Sequence, residues 1–247
     1  MRTRWFPYGT RQPNARLRLL CLPYAGGNAR MFRSWGAEMP EGVEVCPVEL
    51  PGRGTRRGEG CVSSMSSLVE AMVEETEALL DLPLAIFGYS MGGLVGFELA
   101  RVLRRLYGRE PVALLVAAQN APSVPLERPT ARGSTDEELS AALYRSGGMP
   151  AEALANDRFM RAFLPVLRAD YAVVDTYAYA PELPLSCPIH LYTGTEDALV
   201  SERGQEGWRR ETSGPFVVHR FPGGHYFVRE AEGPFLASVS GVLRELP

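Results

Sequence analysis

Lysine is absent from this chain of 247 residues, histidine occurs only three times and cysteine four. All 26 basic residues are therefore arginine, which reflects coding bias more than function. Against 29 acidic residues they leave a formal net charge of -3, and that balance excludes the basic footprint of a nucleic-acid surface. Cys21, Cys46, Cys61 and Cys187 have no C-x-x-C spacing, and three of them lie in or beside apolar runs. They read as reduced structural thiols, not as a disulfide framework. No stretch approaches the roughly 18 apolar residues of a membrane span. The first twenty residues mix Arg and Pro with apolar side chains and offer no signal-peptide core. These absences predict a cytoplasmic protein with neither nucleic-acid nor membrane partners. Three dispersed histidines carry no zinc signature, so no metal is expected, and no organic cofactor either.

What is present is an alternation. Short apolar runs at 17–23, 43–50, 84–88, 112–118, 189–193 and 216–221 are separated by helical patterns. The clearest is 66–80, where Leu68, Met72 and Leu79, with Val69, Val73 and Leu80, oppose Glu70, Glu74 and Glu77. Strands alternating with helices predict one α/β domain over 1–247, built on a mostly parallel sheet with helices on both faces. Ligands on such sheets bind at the carboxyl ends of the strands. One interval breaks the rhythm, because 119–187 shows no convincing strand. Thr135 and Glu138 form a capping-box pattern opening a helix through Arg145, which Gly147-Gly148 ends. Residues 151–177 read as one or two further helices interrupted near Pro165. A helical insertion over about 123–184, leaving the carboxyl edge of the sheet, is expected to be a lid; the plainer alternative is an extra packing layer.

The most informative stretch is 84–93, LAIFGYSMGG. An apolar strand ends in Gly88-Tyr89-Ser90-Met91-Gly92 and an amphipathic helix begins at once, with Val95, Leu99, Val102, Leu103 and Leu106 on one face and Gly108 as its stop. That is the layout of a nucleophile elbow. Its turn is so tight that the positions two before and two after Ser90 favour residues without a Cβ. The N-terminus of the helix then points partial positive charge at the place where an oxyanion would form.

A serine needs a base, and the three histidines are unequal candidates. His190 and His219 lie inside strand patterns, whereas His225 follows Phe221-Pro222-Gly223-Gly224 at a strand's end, where a turn releases the side chain over the site. The third group must be a carboxylate that orients the imidazole. Asp197, on the loop after 189–193, is preferred to the neighbouring Glu196. The chain order Ser90, Asp197, His225 is that of an α/β-hydrolase. An oxyanion hole needs two backbone donors: Met91 supplies one, and Ala25, in the glycine turn Pro23-Tyr24-Ala25-Gly26-Gly27, is expected to supply the other.

With these residues assembled, the chain resembles the stand-alone type II thioesterases that accompany polyketide and nonribosomal peptide synthetases. The resemblance runs through nearly the whole length. It rests on Pro23 through Gly27, Leu50-Pro51-Gly52-Arg53, the elbow, Leu167-Arg168-Ala169-Asp170-Tyr171 with Thr176-Tyr177, and Pro222 through Phe227. Members often carry His where this chain has Tyr24, and a Ser-Gly pair in place of Ala117-Ala118. Both departures lie outside the expected triad and bear on acyl-group preference. The resemblance implies an α/β-hydrolase fold and hydrolysis of acyl groups from the phosphopantetheine arm of an acyl or peptidyl carrier protein, clearing stalled or misprimed synthetases. Arg53, Arg56 and Arg57 read as a solvated loop, the alternative being contact with an acidic carrier helix. An oxoester hydrolase or acyltransferase would use the same three side chains. A binding module that has lost catalysis would not need the intact set.

Overall fold

In the computed structural model, residues 3–9, 12–125, 131 and 133–247 are described. The expected lid interval therefore includes residues 126–130 and 132, which lie outside the described residues, as do residues 1, 2, 10 and 11 of the expected domain. The six apolar runs form β1 (Leu17–Leu22), β2 (Val43–Pro47), β3 (Leu84–Tyr89), β4 (Ala113–Ala117), β5 (Ile189–Gly194) and β6 (Phe216–Phe221). They make one sheet in the order β2-β1-β3-β4-β5-β6, and every pairing in it is parallel. The chain steps outward from β1 to β2, then returns to lay β3 on the other side of β1. The carboxyl ends of β1 and β3 are thus neighbours at the point where the strand order reverses, where open parallel sheets bind their ligands.

Helices cover both faces because successive side chains in a strand point opposite ways. Leu20, Leu22, Ile86, Leu114 and Val116 face a core shared with α2 (Met65–Glu77) and α3 (Met91–Tyr107). Leu19, Cys21, Phe87, Leu115 and Tyr192 face a second core closed by Trp35 of α1 (Trp35–Glu38) and by Phe235, Val239 and Leu243 of the C-terminal helix. Burying each large apolar side chain of these strands contributes about 1.5–3 kcal/mol, and with both faces covered the middle strands read as unbroken apolar runs.

Between β4 and β5 the chain builds α4 (Asp136–Arg145), α5 (Ala151–Leu154) and α6 (Asp157–Asp175). The capping box at Thr135 forms in both directions, with Thr135 Oγ1 accepting the Glu138 amide and Glu138 accepting the Thr135 amide. One expectation is corrected. Pro165 does not interrupt the second helical stretch but lies inside α6, and the break falls at residues 155–156, where Asn156 caps the new helix by accepting the Phe159 amide. Pro165 and Arg161, whose carbonyl loses its donor to the proline, both lie on the exposed side of the helix. Leu139 and Leu143 of α4 pack on Met160, Leu164 and Leu167 of α6 as a separate small core, with Ala25 against it. The chain ends in α7 (Glu202–Gly207), α8 (Phe227–Glu230) and α9 (Glu232–Glu245). Among the described residues no helix is long and apolar enough to cross a membrane, and the four cysteines are free thiols.

Candidate active site

Ser90 sits between the end of β3 and the start of α3 with φ 49° and ψ -118°, a conformation that L-residues adopt only under strain. Its amide donates to the Ala117 carbonyl at 2.7 Å, which ties the turn to β4. A Cβ at Gly88 would strike the Gly92 carbonyl, and one at Gly92 would strike the Leu22 carbonyl at the end of β1. The elbow is therefore packed directly against the start of the 23–27 turn. Ala118, where the resembled family often has glycine, is the other non-glycine residue with positive φ among the described residues, at 52°.

The next two side chains arrive from the ends of β5 and β6. Gly194 lets the two loops meet, since a Cβ there would collide with the carbonyls of Gly223 and Gly224, and the Glu196 amide donates to Gly223 at 2.9 Å. His225 Nε2 lies 3.1 Å from Ser90 Oγ, and His225 Nδ1 lies 2.9 Å from Asp197 Oδ2. Asp197 Oδ1 accepts the Leu199 amide at 2.9 Å. A carboxylate accepts the Nδ1 hydrogen, leaving Nε2 with a lone pair to accept from the serine hydroxyl. The Asp197 side chain is fully buried whereas Glu196 is exposed. The Tyr89 hydroxyl donates to the His225 carbonyl at 2.5 Å. Burial and the nearby Tyr226 and Asp197 push the Tyr89 phenol far up, which keeps that donor protonated.

His190 and His219 are not part of this cluster. His190 Nδ1 lies 3.1 Å from His219 Nε2, and His219 stacks on Tyr192. Burial, with the neighbouring His219, pushes His190 down to about 4, and burial lowers His219 as well. Among the described residues no group of three or more His, Cys, Asp or Glu side chains is placed to hold a metal ion.

In the 23–27 turn the Gly27 amide donates to the Tyr24 carbonyl at 2.8 Å, and the Gly26 amide donates to Asp170 of α6 at 2.6 Å. Met91 is the first residue of α3, where an amide has no acceptor within its own helix. The reading of Arg53 and Arg56 as a solvated loop, or as a surface for a carrier, is corrected. Arg53 is buried and grips Asp170 with both terminal nitrogens, at 2.5 and 2.6 Å. Arg56 is buried over the Trp5 ring and bonded to Glu59; of the three, Arg57 alone is exposed. Charge spacing shows at most the Arg56–Glu59 pair, three residues apart, because Asp170 and Trp5 lie far from this loop in the chain. Sequence reasoning also missed Arg229, which reaches the carbonyls of Gly147 and Gly148 and the Tyr24 hydroxyl at 3.0–3.1 Å.

A parallel sheet with a strained serine at its reversal point, facing an imidazole and a carboxylate on the following loops, has the architecture of an α/β-hydrolase. Comparison with known proteins narrows the class. The family model described as Thioesterase domain matches residues 17–242. The chain is 37% identical over 241 residues to the gramicidin S biosynthesis protein GrsT of Aneurinibacillus migulanus, covering 98% of this chain and 94% of that one. Among solved structures, the RedJ thioesterase of the prodiginine biosynthetic pathway in Streptomyces coelicolor superposes with a TM-score of 0.87 at 35% identity, covering 98% of this chain and 93% of that one. The type II thioesterase BorB of the borrelidin biosynthetic cluster gives 0.86 at 35% identity, with 95% of each chain covered. This chain belongs to the thioesterase family and is a hydrolase.

Proposed function

We propose that this enzyme, acting in the cytoplasm, hydrolyses acyl thioesters on the phosphopantetheine arm of acyl or peptidyl carrier proteins, clearing stalled or misprimed polyketide or nonribosomal peptide synthetases. The observation that carries the mechanism is the unbroken line of contacts from Ser90 Oγ through His225 to Asp197, at 3.1 and 2.9 Å. The relatives' biosynthetic pathways support the substrate class.

Ser90 attacks the acyl carbon while His225 Nε2 takes its proton, and Asp197 holds the ring through Nδ1. The amides of Met91 and Ala25 stabilise the oxyanion, each donor contributing about 2.7–4 kcal/mol to the transition state. Collapse of the tetrahedral species breaks the carbon–sulfur bond, and His225 returns its proton to the departing thiolate. A thiol with pKa near 8.5 leaves readily, so this step asks little of His225 as an acid. Water, deprotonated by His225, then releases the free acid and restores Ser90. No metal or organic cofactor takes part. The helices α4 to α6 act as the lid, and Arg229 on the 147–148 turn together with Asp170 on the 23–27 turn fixes the closed arrangement.

Hydrolysis of an acyl-loaded carrier protein compared with that of a matched oxoester tests the reading. Faster turnover of the carrier thioester, with free acid as product, is expected. Equal or faster turnover of the oxoester, or preferred acyl transfer to an alcohol or amine, would reject it.

A further inference from the structure

The geometry points to Asp170 as a positioning residue that holds the oxyanion turn in register, with Arg53 as its counter-ion. The inference rests on Ala25 being one of the two oxyanion donors. Asp170 belongs to α6, 144 positions from Gly26, yet its Oδ2 accepts the Gly26 amide at 2.6 Å. The same oxygen accepts from Arg53 Nη1 at 2.5 Å, and Oδ1 accepts from Nη2 at 2.6 Å. Arg53 Nη1 also donates to the Gly27 carbonyl at 3.2 Å. One ion pair thus grips the turn by both an amide and a carbonyl.

The placement selects which amide remains for a substrate. Gly26 stands at φ +80°, and the amides of Gly26 and Gly27 are bound to Asp170 and to Tyr24. The remaining amide of that trio, on Ala25, is the one whose direction the grip sets. A Cβ on Gly26 would come within 2.6 Å of Phe163, so α6 lies directly on this turn and carries the charge to it. Asp170 is 1% exposed and Arg53 7%. Two buried charges are costly to desolvate, and a carboxylate that saturates both oxygens with charge-assisted bonds offsets that cost. A packing role alone could be filled by an apolar pair. What the charges add is a rigid backbone where a donor must stand within a few tenths of an ångström of a developing negative charge. The pair also couples the proposed lid to the chemistry, because α6 cannot lift without releasing Gly26.

The test separates transition-state from ground-state binding in Asp170→Asn and Arg53→Lys. Hexylboronic acid, which adds to a serine hydroxyl to give a tetrahedral anion, reads the oxyanion hole. An S-hexyl pantetheine thioether, which cannot be attacked, reads ground-state binding. Loss of boronate affinity by roughly ten- to a hundredfold in Asp170→Asn is expected, since the donor is displaced and not deleted. kcat should fall by the same factor and thioether affinity should stay within about twofold of wild type, for a defect confined to the transition state. Arg53→Lys, which keeps the charge but not the fork, should lie between the two. Unchanged boronate affinity and kcat, or equal losses for boronate and thioether, would overturn the proposal. If Asp170→Asn does not fold, Arg53→Lys decides by the same two comparisons. A wild-type protein that binds the boronate yet leaves acyl-carrier thioesters intact would reject the proposed substrate and not the positioning role.

Discussion

The Tyr89 hydroxyl donates to the His225 carbonyl across 136 positions of chain, joining the residue before the nucleophile to the backbone of the base. The same turn is also held by the meeting of the 194–196 and 223–224 loops and by the buried Phe227 two residues on. Tyr89→Phe removes one oxygen from a side chain that is otherwise buried. kcat should fall by roughly tenfold with little change in KM, because a small displacement of the base is costly. Thermal unfolding should show a loss of about 1–3 kcal/mol for the unsatisfied carbonyl. Unchanged kcat would mean that the bond does not orient the base.

Removal of members of the Ser90, Asp197 and His225 set should have unequal effects. Ser90→Ala and His225→Ala are each expected to lose on the order of 10⁶ in kcat, and Asp197→Asn roughly 10⁴. Steady-state kinetics on an acyl-carrier substrate measures this, with a fluorophosphonate probe labelling wild type but not Ser90→Ala. A His225→Ala enzyme keeping a tenth of normal activity would assign the base elsewhere.

Gly92→Ala should be far more damaging than an ordinary glycine substitution in a helix. The new methyl would meet the Leu22 and Pro23 carbonyls, which belong to a buried strand end and cannot swing aside. A loss of at least about 3 kcal/mol is expected, the upper end of overpacking costs, read as a lower denaturation midpoint or as insoluble protein. A variant as stable as wild type would show that β1 and α3 are not pressed together as described.

Acid sensitivity should trace in part to a pair with no role in the proposed chemistry. His190 is pushed down to about 4 in the folded protein, from an ordinary value of 6.5. Between these values the unfolded chain binds the proton and the folded one does not. Stability from this group is therefore full above about pH 6.5 and declines as pH falls toward 4. His190→Gln should shrink the fall in Tm between neutral pH and pH 4, while activity at neutral pH stays near wild type. An identical acid profile in the two proteins would assign the sensitivity to other groups.

The parts of this molecule that were legible are those written in local spacing. Each of the six apolar runs became a strand, the capping box at Thr135 formed, and Gly108 closes α3 in the left-handed conformation. The turn chemistry around Ser90 and His225 was also visible, because glycines at fixed offsets mark where a side chain is presented. Contacts between distant segments were not. Arg53 sits in a stretch rich in arginine and glycine that resembles a solvated loop, and only the fold brings α6 and its Asp170 onto it. Pro165 misled for a related reason: the lost hydrogen bond and the ring's clash with the preceding turn cost about 3 kcal/mol, and the packing of Leu164 and Leu167 on α4 that holds the helix through that position is a tertiary fact. Tyr89 enters the sequence pattern only as the residue between Gly88 and Ser90 in the elbow, and nothing local shows that its hydroxyl faces the His225 backbone.

The most direct measurement is mass spectrometry, of the intact proteins and of their proteolytic peptides, on the enzyme and an acyl-loaded carrier protein after rapid quenching. The carrier should lose its acyl mass while the enzyme transiently gains the same mass on the peptide containing Ser90, and Ser90→Ala should leave the carrier loaded. Loss of the acyl group from the carrier at an undiminished rate with Ser90→Ala would contradict the account.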